Sequence, residues 1–232
     1  MAWEQSVAYG TASLRNVEEA QRAFMSKVYG LMSAGLCATA GIAWYTVSNE
    51  SLLVPVMRNM LWLMLAEFGL VLLLSFLSSR LSGPLAALLF FAYSALNGLT
   101  LSSIFLVYRL GTIGEAFALT AGVFGAMTLY ATVTKRDLTA WGSFLFMGLI
   151  GVLIAAVINI FVHSDLMAFV VDCLTLVVFA GLTAYDNHKL RALHAASGYS
   201  AAGSLAVVGA LQLYLDFVNL FLAVLRLLGR RR

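Results

Sequence analysis

The chain has 232 residues, of which 62% are hydrophobic and only 11% are charged. Because soluble globular proteins carry about 25% charged residues, this composition excludes an ordinary soluble domain and is typical of a polytopic helical membrane protein. The net charge of +3 is small, and the basic residues lie mainly in short loops and tails. They are expected to orient the chain in a lipid bilayer and not to bind nucleic acid.

Seven apolar segments predict an all-α fold of seven transmembrane helices, since each is close to the about 20 residues that a span requires. A polar cytoplasmic tail, 1–23, and a basic tail, 229–232, flank a single transmembrane domain, 24–228. A polar loop, 187–203, is predicted before the last span. The predicted spans are 24–47, 59–79, 84–108, 114–134, 141–162, 167–186 and 204–228.

The distribution of Lys and Arg predicts how the chain crosses the membrane. With the amino terminus in the cytoplasm, most basic residues of the loops face the cytoplasm, and only Arg58 and Arg109 face outward. The arginines at 230–232, beside Arg226, are the exception, because this topology places the carboxyl terminus outside. A re-entrant segment would instead bring that terminus inside.

A carboxylate lies in the middle of the last predicted span. On a helix, Gln212, Asp216 and Asn219 share one face, and the other faces are Leu, Val and Phe. An Asp near the bilayer centre costs about 2.5–3.5 kcal/mol on insertion scales. The polar face is therefore predicted to turn inward, toward other helices or a wet cavity.

Two further acids lie in other spans, Glu67 in the middle of the second and Asp186 at the end of the sixth. These two spans run in the same direction, so Arg80 and Asp186, at their ends, are expected on the cytoplasmic side. The seventh span begins on that side, so its polar face, with Asp216, can face Asp186. Two carboxylates that share a low-dielectric site do not easily both ionise, so such a pair holds one proton and responds to pH. A nearby arginine would favour the ionised pair and would link the helices.

Each acid also has a structural interpretation. Asp216 would bond a neighbouring amide or hydroxyl, and Asp186 would be a surface residue at a helix end. Glu67 would be a hydrogen-bond partner for a residue such as Asn97 or Tyr93.

Three residues near the ends of spans are interpreted first as solvated. Arg80 follows the second span and serves as a positive-inside residue. His188 and His194 fall in the predicted loop and are not expected to bind a metal.

An intramembrane aspartyl protease is the enzyme alternative, because Asp186 and Asp216 lie on consecutive spans. However, the residues before Asp216 are Leu213-Tyr214-Leu215 and not the Gly-x-Gly that lets a substrate backbone approach. The Pro-Ala-Leu element of such proteases is also missing. We therefore do not expect an enzyme.

Four stretches, in the right order, resemble the Bax inhibitor-1 family (transmembrane Bax inhibitor motif proteins), and above all its bacterial inner-membrane members. The resemblance covers the chain from about residue 22. The stretches are Asn97-Gly98-Leu99-Thr100-Leu101-Ser102-Ser103-Ile104-Phe105, Thr134-Lys135-Arg136-Asp137-Leu138, Gly181-Leu182-Thr183-Ala184-Tyr185-Asp186 and Leu213-Tyr214-Leu215-Asp216-Phe217-Val218-Asn219-Leu220-Phe221.

The resemblance implies a fold in which the last helix is surrounded by the other six, and a pH-sensitive calcium leak through the membrane. Asp186 and Asp216 match the family's paired aspartates, which share a proton and sense pH, and Glu67 matches an acid that lines the pore. In the family, a basic residue at the cytoplasmic end of the second helix serves as the latch partner of the aspartates. Here that position falls near Ser78 or Ser79, with Arg80 one or two residues later.

The main hypothesis is a passive, pH-gated path for Ca²⁺ in the bacterial inner membrane, without catalysis or a cofactor. Glu67, Asp216 and Asn219 would line the path, with Arg80 as the latch, and Asp186 and Asp216 would contact the ion. The alternative is a regulator that binds another membrane protein, such as a membrane protease or a stress-response partner, through the tail 1–23 and the carboxyl-terminal arginines.

Overall fold

The computed structural model describes residues 2–77, 82–134, 137–197 and 203–230, and within these ranges every regular element is a helix. The prediction of an all-α membrane protein is confirmed. The helices are α1 (Ala2–Val47), α2 (Glu50–Arg58), α3 (Met60–Leu77), α4 (Gly83–Leu101), α5 (Ile104–Val107), α6 (Leu110–Val133), α7 (Thr139–Val162), α8 (Asp165–Ala196) and α9 (Gly203–Gly229).

The helices account for the seven predicted spans. Six crossings are long and apolar enough by themselves: α1, α4 with α5, α6, α7, α8 and α9. The seventh consists of α2 and α3, which are bent by 76° relative to each other and together pass the same test. Pro55, which falls between the first two predicted spans, lies inside the short α2. The second crossing is therefore a membrane helix preceded by a short helix at a steep angle.

The first helix is longer than its predicted span. Residues 2–23, predicted as a tail, are helical and continuous with the membrane part of α1. A helix of 46 residues is about 69 Å long at 1.5 Å per residue, whereas the hydrocarbon core of a bilayer is about 30 Å thick. The amino-terminal part of α1 is therefore long enough to project well beyond the hydrocarbon layer.

The sixth span is also longer than predicted, and the polar loop before the last span is correspondingly shorter. Instead of ending at Asp186, α8 continues to Ala196. Asn187, Leu190 and His194 recur at helical spacing and are buried. The expectation of a solvated His194 is wrong, because its ring is 1% exposed and stacks on Phe24 with the ring centroids 4.2 Å apart.

The last helix forms the centre of the bundle. Most of the α9 side chains are buried, and Leu213, Tyr214 and Leu220 are completely so. Four helices, α1, α4, α6 and α8, pack directly on α9, whereas α3 packs mainly on α4, and α7 mainly on α8. The last helix is thus central, with four of the six other spans in extensive contact with it and two forming an outer layer.

A glycine allows α4 to approach α1 closely. A Cβ added to Gly98 would lie 2.7 Å from the backbone oxygen of Thr39 and 2.9 Å from Cβ of Ile42. Small residues permit such approaches between membrane helices, whose association depends on packing. Gly122 on α6 differs, because a Cβ added there meets nothing within 4 Å.

We expect Gly98→Ala to lower the thermal unfolding midpoint of the purified protein in detergent. Overpacking costs about 1–3 kcal/mol, and the atoms that the new methyl group would meet belong to backbone and to a branched side chain. Gly122→Ala is the matched control and should leave the midpoint unchanged or raise it, because alanine favours helix. Equal midpoints for the two variants would contradict a close contact at Gly98.

Candidate functional site

The candidate site lies between the central helix and α8. Asp216 is 4% exposed, and its Oδ2 atom has no hydrogen-bond partner within the described part of the chain. Asp186, on α8, lies close enough to Asp216 for the two carboxyl groups to interact electrostatically. The structure therefore brings the two predicted aspartates together, with one of them enclosed by the bundle.

Two contacts fix the antiparallel register of α8 and α9 around this pair. At one end Arg226 of α9 meets Asp172 of α8. At the other end Leu190 packs on Gly209, where an added Cβ would lie 2.7 Å from the leucine side chain. Asp186 and Asp216 lie between these contacts, offset along the helix axis by about one turn, or about 5 Å.

The charges around the pair do not neutralise it directly. Lys189, one turn along α8, acts electrostatically on Asp186, and its Nζ atom lies 5.8 Å from the centroid of the Tyr185 ring. Neither aspartate forms an ion pair with another described residue. Arg80, predicted as the latch, lies outside the described residues, so its role stays a prediction.

Glu67 belongs to a second polar cluster, on another side of α9. Its carboxylate accepts hydrogen bonds from Oγ1 of Thr100 at 2.7 Å and from Nδ2 of Asn97 at 3.4 Å. The Tyr214 hydroxyl donates to Oδ1 of Asn97 at 3.1 Å and lies 2.7 Å from Oγ1 of Thr39. The cluster thus connects α1, α3, α4 and α9.

The partners of Glu67 agree in part with its structural interpretation, and Asn219 bonds within its own helix. Asn97 bonds Glu67 as that interpretation proposed, whereas the shorter bond from Thr100 was not predicted. Asn219 is satisfied within its own helix, since its Nδ2 donates to the Leu215 carbonyl at 2.8 Å.

An ion-pair cluster that sequence reasoning missed joins the other ends of α8 and α9. Asp172 lies near the start of α8 and is 3% exposed. Its Oδ1 is 2.6 Å from Nε of Arg226, and its Oδ2 is 3.4 Å from Nη2 of Arg230. Arg230 also donates to the Asp165 carbonyl at 2.7 Å. The arginines, interpreted as a tail, therefore neutralise an acid on the neighbouring helix.

Metal-ligating residues are sparse. Among the described residues, no group of three or more His, Cys, Asp and Glu side chains is placed to hold a metal ion. Ca²⁺ takes 6–8 oxygen ligands in its protein sites, and Asp186 and Asp216 together supply fewer. Their contact with Ca²⁺ stays a prediction, and it concerns an ion in passage.

Fold and site together define a polytopic helical membrane protein with ionisable groups packed around a central helix. A family model described as inhibitor of apoptosis-promoting Bax1 matches residues 21–232. The chain therefore belongs to the Bax inhibitor-1 family.

Individual relatives cover nearly the same length. The inner membrane protein YbhL of Escherichia coli (strain K12) is 43% identical over 90% of this chain and 92% of its own. A protein of Borreliella burgdorferi is 42% identical over 90% of this chain and 92% of its own. A membrane protein of Streptococcus pyogenes serotype M1 is 35% identical over 89% of this chain and 92% of its own. The prediction of a multi-pass protein of the bacterial inner membrane is confirmed.

We expect Asp172→Asn to lower the thermal unfolding midpoint by several degrees, because it leaves the arginines without their acid. The free energy of unfolding should fall by about 1–3 kcal/mol, because Arg226 is partly exposed. Loss of one partner of a fully buried ion pair would lower it further. Asp165→Asn, which changes an exposed carboxylate on the same helix, should have little effect.

A double-mutant cycle with Arg226→Gln tests the contact itself. The combined variant should be less destabilised than the sum of the single variants. Strict additivity would contradict a direct interaction between Asp172 and Arg226.

Proposed function

We propose that this protein is a passive, pH-sensitive path for Ca²⁺ across the bacterial inner membrane, controlled by Asp186 and Asp216. The observation that carries the proposal is a pair of carboxyl groups between α8 and the central helix, without an ion-pair partner among the described residues. Ionisable groups inside a membrane are expensive, and they commonly mark ion pathways or proton relays.

The control step is a change in the protons held by the pair. With one proton, the two carboxyl groups share a charge-assisted hydrogen bond that links α8 to α9. A second proton, taken up on acidification, removes the charge and weakens this link. Because α9 is packed against four helices, a weaker link biases the whole bundle toward a more open conformation.

The second polar cluster connects this step to the rest of the path. Tyr214 lies on the same helix as Asp216 and bonds Asn97, which bonds Glu67. A movement of α9 that separates the aspartates would therefore also disturb the partners of Glu67. The freed carboxylate of Glu67 would offer oxygen ligands of the kind that Ca²⁺ prefers. Asn219 and the protonated Asp216, at other positions around α9, would offer carbonyl oxygens.

The packing around Asp216 disfavours the protease alternative. Leu213 and Tyr214, which precede Asp216, are completely buried. Bulky side chains at these positions leave a substrate backbone little space to approach the carboxyl pair. We therefore propose ion passage without catalysis.

The test is Ca²⁺ influx into liposomes that contain the purified full-length protein, measured across a pH series around neutrality. Acidification should increase the flux. Loss of a hydrogen bond to a charged group, worth about 1.5–3 kcal/mol, shifts a two-state equilibrium about tenfold or more. Asp186→Asn and Asp216→Asn should each abolish this pH response.

Asp137→Asn is the matched control, because it changes an exposed aspartate outside the spans and should preserve both flux and pH response. Flux that stays pH-dependent in Asp216→Asn would contradict the proposal. Liposomes with wild-type protein that admit no more Ca²⁺ than empty ones would contradict it as well.

Glu67→Gln distinguishes a residue that lines the ion path from the aspartates that set the pH response. It keeps a hydrogen-bonding side chain in the cluster and removes the charge, so we expect lower Ca²⁺ flux with an unchanged pH response. Unaltered flux in this variant would exclude Glu67 from the path and would leave the aspartate pair untouched.

A further inference from the structure

A long trough lies between α1 and α6. Both helices pack on α9 but make little contact with each other. Cavities of about 410 Å³ and about 360 Å³ occupy the gap. Leu36, Phe117 and Phe217 line both cavities, so the two adjoin end to end along α9, and together they are called the trough.

The trough is apolar along most of its length and accessible from the lipid side. On α1 its lining runs from Tyr29 to Ala43, which corresponds to about 21 Å along a helix. One leaflet of the hydrocarbon core is about 15 Å deep, so the trough is long enough to accommodate an acyl chain. Phe117, on its wall, is 50% exposed.

Glycines on α6 widen the trough. Gly114 and Gly125 line it, and a Cβ added to either would meet nothing within 4 Å. Gly98 and Gly209, in contrast, are places where helices approach closely. The glycines of the trough therefore leave space beside α6 without bringing another helix close.

One end of the trough is polar and cationic. Tyr29 and Thr128 line this end, and both bond Asn187 of α8. Arg191, one turn further along α8, lies beside the Tyr29 hydroxyl and donates from Nη2 to Oγ1 of Thr132 at 2.9 Å.

The guanidinium of Arg191 retains capacity for an anion. Its Nε atom is buried and has no hydrogen-bond partner among the described residues. The guanidinium forms no ion pair with a described carboxylate. The nearest acid along α8 is Asp186, whose electrostatic partners are Lys189 and Asp216.

We propose that the trough binds an anionic phospholipid, with one acyl chain between α1 and α6 and the phosphate at Arg191. Arg191 lies five residues before the end of α8 at Ala196, about 7.5 Å along the axis, which suits the level of the headgroups. Guanidinium groups bind phosphate through paired hydrogen bonds. With the amino terminus in the cytoplasm, the lipid belongs to the inner leaflet. The lipid site does not depend on the proposed ion path.

The test is native mass spectrometry of the full-length protein with palmitoyl-oleoyl phosphatidylglycerol, and with phosphatidylcholine of the same chains. One phosphatidylglycerol should be retained. Phosphatidylcholine should bind about tenfold more weakly, because its choline cation offsets the charge of the phosphate that Arg191 attracts. A photoactivatable acyl chain on the phosphatidylglycerol should cross-link to α1 and α6.

Matched variants locate the site. Gly125→Phe fills the trough and should abolish retention, whereas Gly122→Phe, on the same helix but outside the trough lining, should not. Arg191→Gln should weaken binding about tenfold, whereas Arg22→Gln, which changes an exposed cation of α1, should have no effect.

Four results would overturn the proposal. They are equal binding of the two lipids, equal retention by Gly125→Phe and Gly122→Phe, cross-links of the wild type that map away from α1 and α6, and a dimer whose own helix fills the trough and excludes the lipid. Cross-linking of the wild type remains decisive if Gly125→Phe does not fold.

Discussion

Burial of a carboxyl group in the centre of the helix bundle is the constraint on which the rest of the structure depends. An aspartate in the membrane costs about 2.5–3.5 kcal/mol on insertion scales, so the helix that carries Asp216 is stable only if other helices enclose it. Four helices pack directly on α9, and Asp186 of α8 is the acid close enough to interact electrostatically with the buried carboxyl. The central position of α9 and the chemistry of the site therefore have the same cause.

The central helix carries polar groups on two opposite sides. Tyr214 and Asp216 are two positions apart, a rotation of about 200° on a helix, so one belongs to the Glu67 cluster and the other to the aspartate pair. Further along α9, Arg226 reaches Asp172 and holds the register of α8. A movement of α9 would therefore change the contacts in both polar clusters. The ion pair between Arg226 and Asp172 restrains sliding of α9 along α8.

The proximity of Asp186 and Asp216 could be predicted from the sequence. The predicted topology places them on consecutive, antiparallel helices, and the free-energy cost of a carboxyl group in lipid turns both toward the interior of the bundle. The extension of α8 beyond Asp186 was missed, because the segment is polar. Its buried residues, Asn187, Leu190 and His194, do recur at helical spacing, so periodicity was the usable signal.

The contact of Asp172 with the arginines of α9 could also have been predicted from the sequence. An acid near the start of one span and a base near the end of the next, antiparallel, span are expected to meet at the same side of the membrane. Counting Arg226 with the tail hid this relation. The trough between α1 and α6 could not be predicted, because it depends on which helices fail to touch, and sequence spacing does not specify that.

The most direct test of the central claim is a pH titration of the buried carboxyl groups by infrared spectroscopy on the full-length protein in lipid. The carboxyl band lost in Asp216→Asn identifies the buried group. If Asp186 and Asp216 share a proton, replacing Asp186 by Asn must shift the titration midpoint of that band. A band with the same midpoint whether or not Asp186 is present would show that the two acids titrate independently and would contradict the account.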